Sequence, residues 1–285
     1  MSRISRNRQT DLGQSTPNVK FRGDRIVISA ERLAAMGKKL PPDMTEPTFS
    51  ADGVDLFLGD SAIIAPTLEQ TFDLLATDPP YGVGFRSNRR EATEKFEIMH
   101  GDQGEVDVPA ILRACVLKLR PFRHAYVFGP ETLVAGIERL TDPVTLIWDK
   151  ENIGMGDLSL PRGPSHEPIN FSVHVPSKAN KIRGDGRLAA RLRQGSILRA
   201  LRPNASGVKR HPSEKPVEVM RQIIESSSCA NEIVFDPFMG SGSTVVAALL
   251  EGRRVVGIEK DEKYFTIARQ RVEALLPLLR QLGGA

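Results

Sequence analysis

EIVFDPFMGSGST, from Glu232 to Thr244, is an apolar run of strand length, then a turn carrying Gly240 and Gly242, then a helix start. This is the arrangement that lets backbone approach a ligand at the carboxyl end of a sheet strand. The pattern continues on both sides. A helix is expected from Pro216 to Ser228 ahead of it, a second from Ser241 to Glu251, the strand RVVGIE at Arg254 to Glu259, and a last helix from Asp261 to Leu279. Further upstream come VDLFL from Val54, a turn at Gly59 and Asp60, a short helix to Gln70, and FDLLAT running into TDPPYG at Thr77 to Gly82. A helix from Val108 to Arg120, a strand at His124 to Phe128, a helix from Glu131 to Leu140, a strand at Val144 to Trp148 and INFSVHV from Ile169 complete the series. Strand and helix alternate throughout, which predicts an α/β fold with a doubly wound sheet and helices on both faces.

Residues 1–45 are rich in Arg, Ser, Pro and Gln and lack sustained periodicity, so they read as a mobile basic arm with one short helix from Ile28. Residues 46–285 read as a single domain. Hydrophobic residues make up 40% of the 285, enough to bury a substantial core. The net charge of +4 is a mild excess that a solvated surface also gives, so only its placement can argue for nucleic acid. Cys115 and Cys229 have neither metal-ligand spacing nor a disulfide framework, and no metal site is expected. No apolar run has the length of a membrane span and no signal peptide opens the chain, so a cytoplasmic location is expected.

A glycine-bearing turn after a strand also suits a dinucleotide, and Glu259 at the tip of the next strand could hold ribose hydroxyls in either setting. The discriminating feature is Asp236, Pro237 and Phe238 where a dehydrogenase needs an early glycine for its pyrophosphate.

TDPPYG and DPFMGSGST together resemble the catalytic and S-adenosylmethionine motifs of the DNA amino-methyltransferases, and their order, catalytic first, resembles the beta group of that family. The resemblance implies a mostly parallel, Rossmann-like sheet with circularly permuted motifs, S-adenosylmethionine as cofactor and DNA as partner. It leaves open a homodimer and a cognate restriction endonuclease acting on the same site.

An exocyclic amine of a base is a poor nucleophile, because its lone pair is delocalised into the ring. In the DPPY arrangement the Asp78 carboxylate and the Pro79 carbonyl would accept hydrogen bonds from the amine and turn that pair toward the methyl group. Pro79 and Pro80 stiffen the loop, and Tyr81 offers a face on which a flipped base could stack.

Other runs extend the resemblance. LGD places Asp60 near the cofactor adenine, and HPSEKP supplies Ser213 and Lys215, the lysine facing the methionine carboxylate. Asp236, Pro237, Phe238, Gly240, Gly242, Ser243 and Glu259 complete the cofactor set implied by the resemblance. LIWDK and HEPI also match a family run, but His166 and Glu167 are assigned no catalytic role.

Between the two halves, Pro176 to Arg210 carries ten Lys or Arg against the single acid Asp185. A solvated loop explains this as well as a polyanion site does; its place in the resemblance makes 176–210 the inserted target-recognition region, with Lys181, Arg183, Arg187, Arg191 and Arg193 on DNA. The expected activity is methylation of the 6-amino group of adenine after base flipping. The alternatives are the 4-amino group of cytosine, a catalytically silent DNA-binding specificity subunit, and a methyltransferase acting on RNA or protein.

Overall fold

The computed structural model describes residues 46–80, 106–152, 161–176, 194–201 and 214–283. The strands are β1 (Phe49–Ala51), β2 (Val54–Leu58), β3 (Phe72–Thr77), β4 (Leu119–Phe128), β5 (Val144–Asp149), β6 (His166–Val173), β7 (Ile197–Arg199), β8 (Ile233–Asp236) and β9 (Arg254–Glu259). They form one sheet in the order β1-β2-β9-β8-β3-β4-β6-β5-β7. Its centre, β2 through β4, is parallel. β1 joins one edge antiparallel, and β6 lies antiparallel between β4 and β5.

The helices are α1 (Ser61–Thr67), α2 (Val108–Val116), α3 (Val217–Ser227), α4 (Ser243–Leu250) and α5 (Glu262–Gly283). They cover both faces, which is why every residue of FDLLAT in β3 is buried. Alternate residues serve opposite cores. Leu74 and Val234 pack in one cluster with Val219, Val245 and Ala268 of α3, α4 and α5. Leu75 and Phe235 pack in the other with Ile64 of α1 and Leu112 of α2, where the Phe72 and Phe235 rings stack 4.2 Å apart.

Two expectations change in detail. In place of a helix from Glu131 to Leu140 there is a single 3-10 turn, Glu131–Leu133. Gly136 and Arg139 take φ of +72° and +68°, which no right-handed helix continues, and the chain is thereby returned to the sheet, where Leu140 bridges His174. Part of the basic insert belongs to the sheet itself: β7 pairs parallel with β5, and Trp148 Nε1 donates to Ala200 O at 2.9 Å. β1 and β7 are three-residue edge strands, too short to show a period.

β3 and β8 are neighbours whose crossovers leave on opposite faces and in opposite directions, through α2 to β4 and through α4 to β9. Ligands of open α/β sheets bind beyond the carboxyl ends of the strands at such a switch point. Here those ends are Thr77 and Asp236. Among the described residues no helix is long and apolar enough to cross a membrane, and no cluster suited to a metal occurs.

Candidate active site

Both motifs begin at this switch point. Thr77 Oγ1 donates to Asp236 Oδ1 at 2.6 Å, joining positions 159 residues apart. The Asp236 carboxylate is 2% exposed and also accepts from Phe238 N at 3.0 Å and from the Thr244 hydroxyl. Burial raises its pKa to about 6 against these hydrogen bonds. Asp236 therefore points into the turn and shapes it.

Gly240 and Gly242 have φ of +53° and +83°. A Cβ on Gly242 would lie 2.9 Å from Ala268 Cβ, so this glycine permits the close approach of α5 to the turn. Pro237 is buried, with its carbonyl accepting from Ser61 Oγ, and Phe238 is half-buried against the α1 and α2 core.

Glu259 ends β9 beside this turn. Its Oε2 accepts from Gly240 N at 2.9 Å and its Oε1 from Asp261 N at 2.8 Å. Burial raises its pKa to about 7. Asp60 caps α1 by accepting from Ala62 N at 2.9 Å, and Lys260 Nζ lies 3.4 Å from its Oδ2. Gly59 N donates to Glu259 O at 2.8 Å, so LGD and the β9 tip are one assembly. Ser243 begins α4 with a buried Oγ that has no partner among the described residues. A strand-tip carboxylate suits a ribose diol, while a helix N-terminus with a buried hydroxyl suits a carboxylate. S-adenosylmethionine carries both groups, so the residues fit it.

Asp78 follows β3 and is half-buried, beside a buried Pro79. Lys215 has its Nζ 2.6 Å from Asp78 Oδ2. The ammonium lies between two carboxylates, Asp78 and Glu167, and burial of this cation at 5% exposure is sustainable only in such company. Glu167 is the residue that sequence reading left aside. The available signal was HEPI following LIWDK, and its meaning emerges only because β6 starts where β3 and β4 end. Tyr81, Ser213, Lys181, Arg183, Arg187, Arg191 and Arg193 lie outside the described residues, as does the arm.

Residues 72–270 match a family model described as DNA methylase. The chain belongs to the N6/N4 DNA methylase family. Among relatives of this methylase, the Type II methyltransferase M2.DpnII of Streptococcus pneumoniae is 25% identical over 260 residues, covering 81% of the chain and 94% of the relative. YubD of Escherichia coli (strain K12) is 50% identical over 76 residues, 27% of the chain and 34% of YubD, so that match spans about a third of its length. Among solved structures, the M1.HpyAVI–SAM complex superposes with a TM-score of 0.58 at 20% identity, covering 77% of the methylase chain and 98% of its own. The PvuII DNA methyltransferase, cytosine-N4-specific by its title, gives 0.57 at 14% identity over 85% and 96%. The fold is the Rossmann-like sheet of these enzymes.

Proposed function

We propose that the methylase transfers a methyl group from S-adenosylmethionine to the 6-amino group of adenine in DNA. The observation that carries this reading is the meeting of the first residues of the two motifs, Thr77 and Asp236, at the adjacent ends of β3 and β8. Bound at the turn, S-adenosylmethionine would supply an electrophilic methyl carbon; the amine nitrogen would take that methyl with S-adenosylhomocysteine as the leaving group, and the proton lost from the amine would pass to solvent. Asp78 and the Pro79 carbonyl accept from the amine, Tyr81 stacks the flipped base, and Glu259 holds the ribose. Ser243 and the start of α4 hold the methionine carboxylate. Asp at position 78, where cytosine-N4 enzymes more often carry Ser, supports adenine; the likeness to the PvuII enzyme keeps cytosine N4 as the second reading. The relative's description as a Type II methyltransferase supports a cognate restriction endonuclease as the biological setting.

The test is to incubate the methylase with labelled S-adenosylmethionine and unmethylated genomic DNA, hydrolyse the DNA and identify the modified base. N6-methyladenine is the expected product. N4-methylcytosine would support the second reading, and label on protein or RNA alone would overturn both. Asp78→Ala should lower single-turnover transfer on the order of 100-fold while cofactor binding changes little.

A further inference from the structure

We propose that Lys150, Glu167 and Lys215 form a positioning relay that sets the orientation of the Asp78 carboxylate, an inference that rests on reading Asp78 as the acceptor for the amine. Lys215 Nζ lies 2.6 Å from Asp78 Oδ2 and 3.1 Å from Glu167 Oε2, the latter an ion pair without hydrogen-bond alignment. Lys150 Nζ lies 2.6 Å from Glu167 Oε1. The charges alternate along this row, and each oxygen of Glu167 faces a different lysine, so Glu167 cannot rotate without giving up one of them. Aromatic rings floor both cations: Phe128, the last residue of β4, lies 5.3 Å from Lys215 Nζ, and Trp148 of β5 lies 5.2 Å from Lys150 Nζ.

Two lysines only 4% and 5% exposed are a costly way to hold a fold, since apolar side chains of similar volume usually do so as well or better. The row has a use at its end. An acceptor must be aimed at the amine, and a misplacement of about 1 Å costs on the order of 100-fold in rate. Burial opposes the charge on Lys215, yet Asp78 and Glu167 raise its pKa above the usual lysine value. Burial opposes the charge on Glu167 too, yet Lys215 and Lys150 draw it below the usual carboxylate value. Lys215 and Glu167 therefore stay charged through neutral pH. The groups come from the ends of β3 and β5, the start of β6 and the segment before α3, so the relay joins four distant parts of the chain to the catalytic turn.

The test uses the full chain with unmethylated genomic DNA and labelled S-adenosylmethionine. Lys150→Met, whose side chain reaches no reacting atom, should lower kcat by about 10- to 100-fold with KM for cofactor and DNA within about twofold, and Lys150→Arg should restore most of the rate. The charge-balanced double variant Lys150→Met with Glu167→Gln guards against misfolding: it should melt near the wild type and remain slow. Alongside activity, the side-chain ammonium 15N resonance of Lys215, identified by its loss in Lys215→Arg, should shift in Lys150→Met, Glu167→Gln and Asp78→Asn. An unchanged kcat in the folded double variant, or a loss confined to cofactor KM, overturns the relay. If the wild type methylates no DNA, it is the functional reading that has failed, and the relay is then decided by the ammonium resonance: a shift in all three variants supports it, and an unmoved signal in Lys150→Met rejects it.

Discussion

The hydroxyl of Thr77 and the carboxylate of Asp236 meet at 2.6 Å across neighbouring strands, so the last residues of β3 and β8 share one buried hydrogen bond. Thr77→Val keeps the shape and removes the donor. A buried carboxylate that loses a donor is destabilised by roughly 1–3 kcal/mol, so the variant should unfold at lower denaturant at pH 8. Asp236, with its pKa near 6, is largely protonated at pH 5, where the difference from wild type should shrink. Equal losses at both pH values in denaturant titrations would show that Thr77 matters only as packing.

Glu259 gives a pH dependence with a definite sign. Its folded pKa of about 7 lies above the ordinary value of 4.5, so the apo fold loses this group's contribution as pH rises between the two. A ribose diol donates hydrogen bonds, and the ionised carboxylate is the better acceptor. S-adenosylmethionine binding should therefore strengthen as pH rises from 6 to 8, by at most about tenfold per unit below the pKa. Glu259→Gln should bind more weakly and lose that dependence. Calorimetry across the pH series measures both.

Gly242 combines a φ of +83° with a Cβ position only 2.9 Å from Ala268 Cβ. Gly242→Ala strains the backbone and pushes α5 from the turn, and should destabilise the fold by about 1–3 kcal/mol. Gly252, with φ +70° and open space around its Cβ position, separates the two effects: Gly252→Ala meets the backbone penalty alone and should lose less. Thermal unfolding of the pair checks the difference.

The basic insert is tested by salt. If Lys181, Arg183, Arg187, Arg191 and Arg193 track phosphates, each Ala substitution should reduce the slope of log affinity against log salt by up to about 0.9. A residue reading a base edge should instead cost about 1–3 kcal/mol on cognate DNA and much less on unrelated DNA. Five variants with unchanged slope and discrimination would place recognition elsewhere in the methylase.

Period and punctuation determined most of the elements. FDLLAT, EIVFD and RVVGIE read as buried strands because helices cover both faces of them, and burial on both faces leaves a continuous apolar signature. The two family motifs were legible because strand-end turns confine their distinctive residues to short runs. What the tertiary structure decided is which side chains meet. β6 enters antiparallel between β4 and β5, so Glu167 at its start arrives at the carboxyl ends of the parallel strands, beside Lys150 and Lys215. Strand direction leaves no mark in a sequence of alternating apolar residues, because the period of two is the same either way. The pairing of Lys215 with Asp78 and Glu167 was likewise decided by tertiary structure, since the partner of a buried charge is fixed by what the fold places within a few ångströms and not by neighbours along the chain.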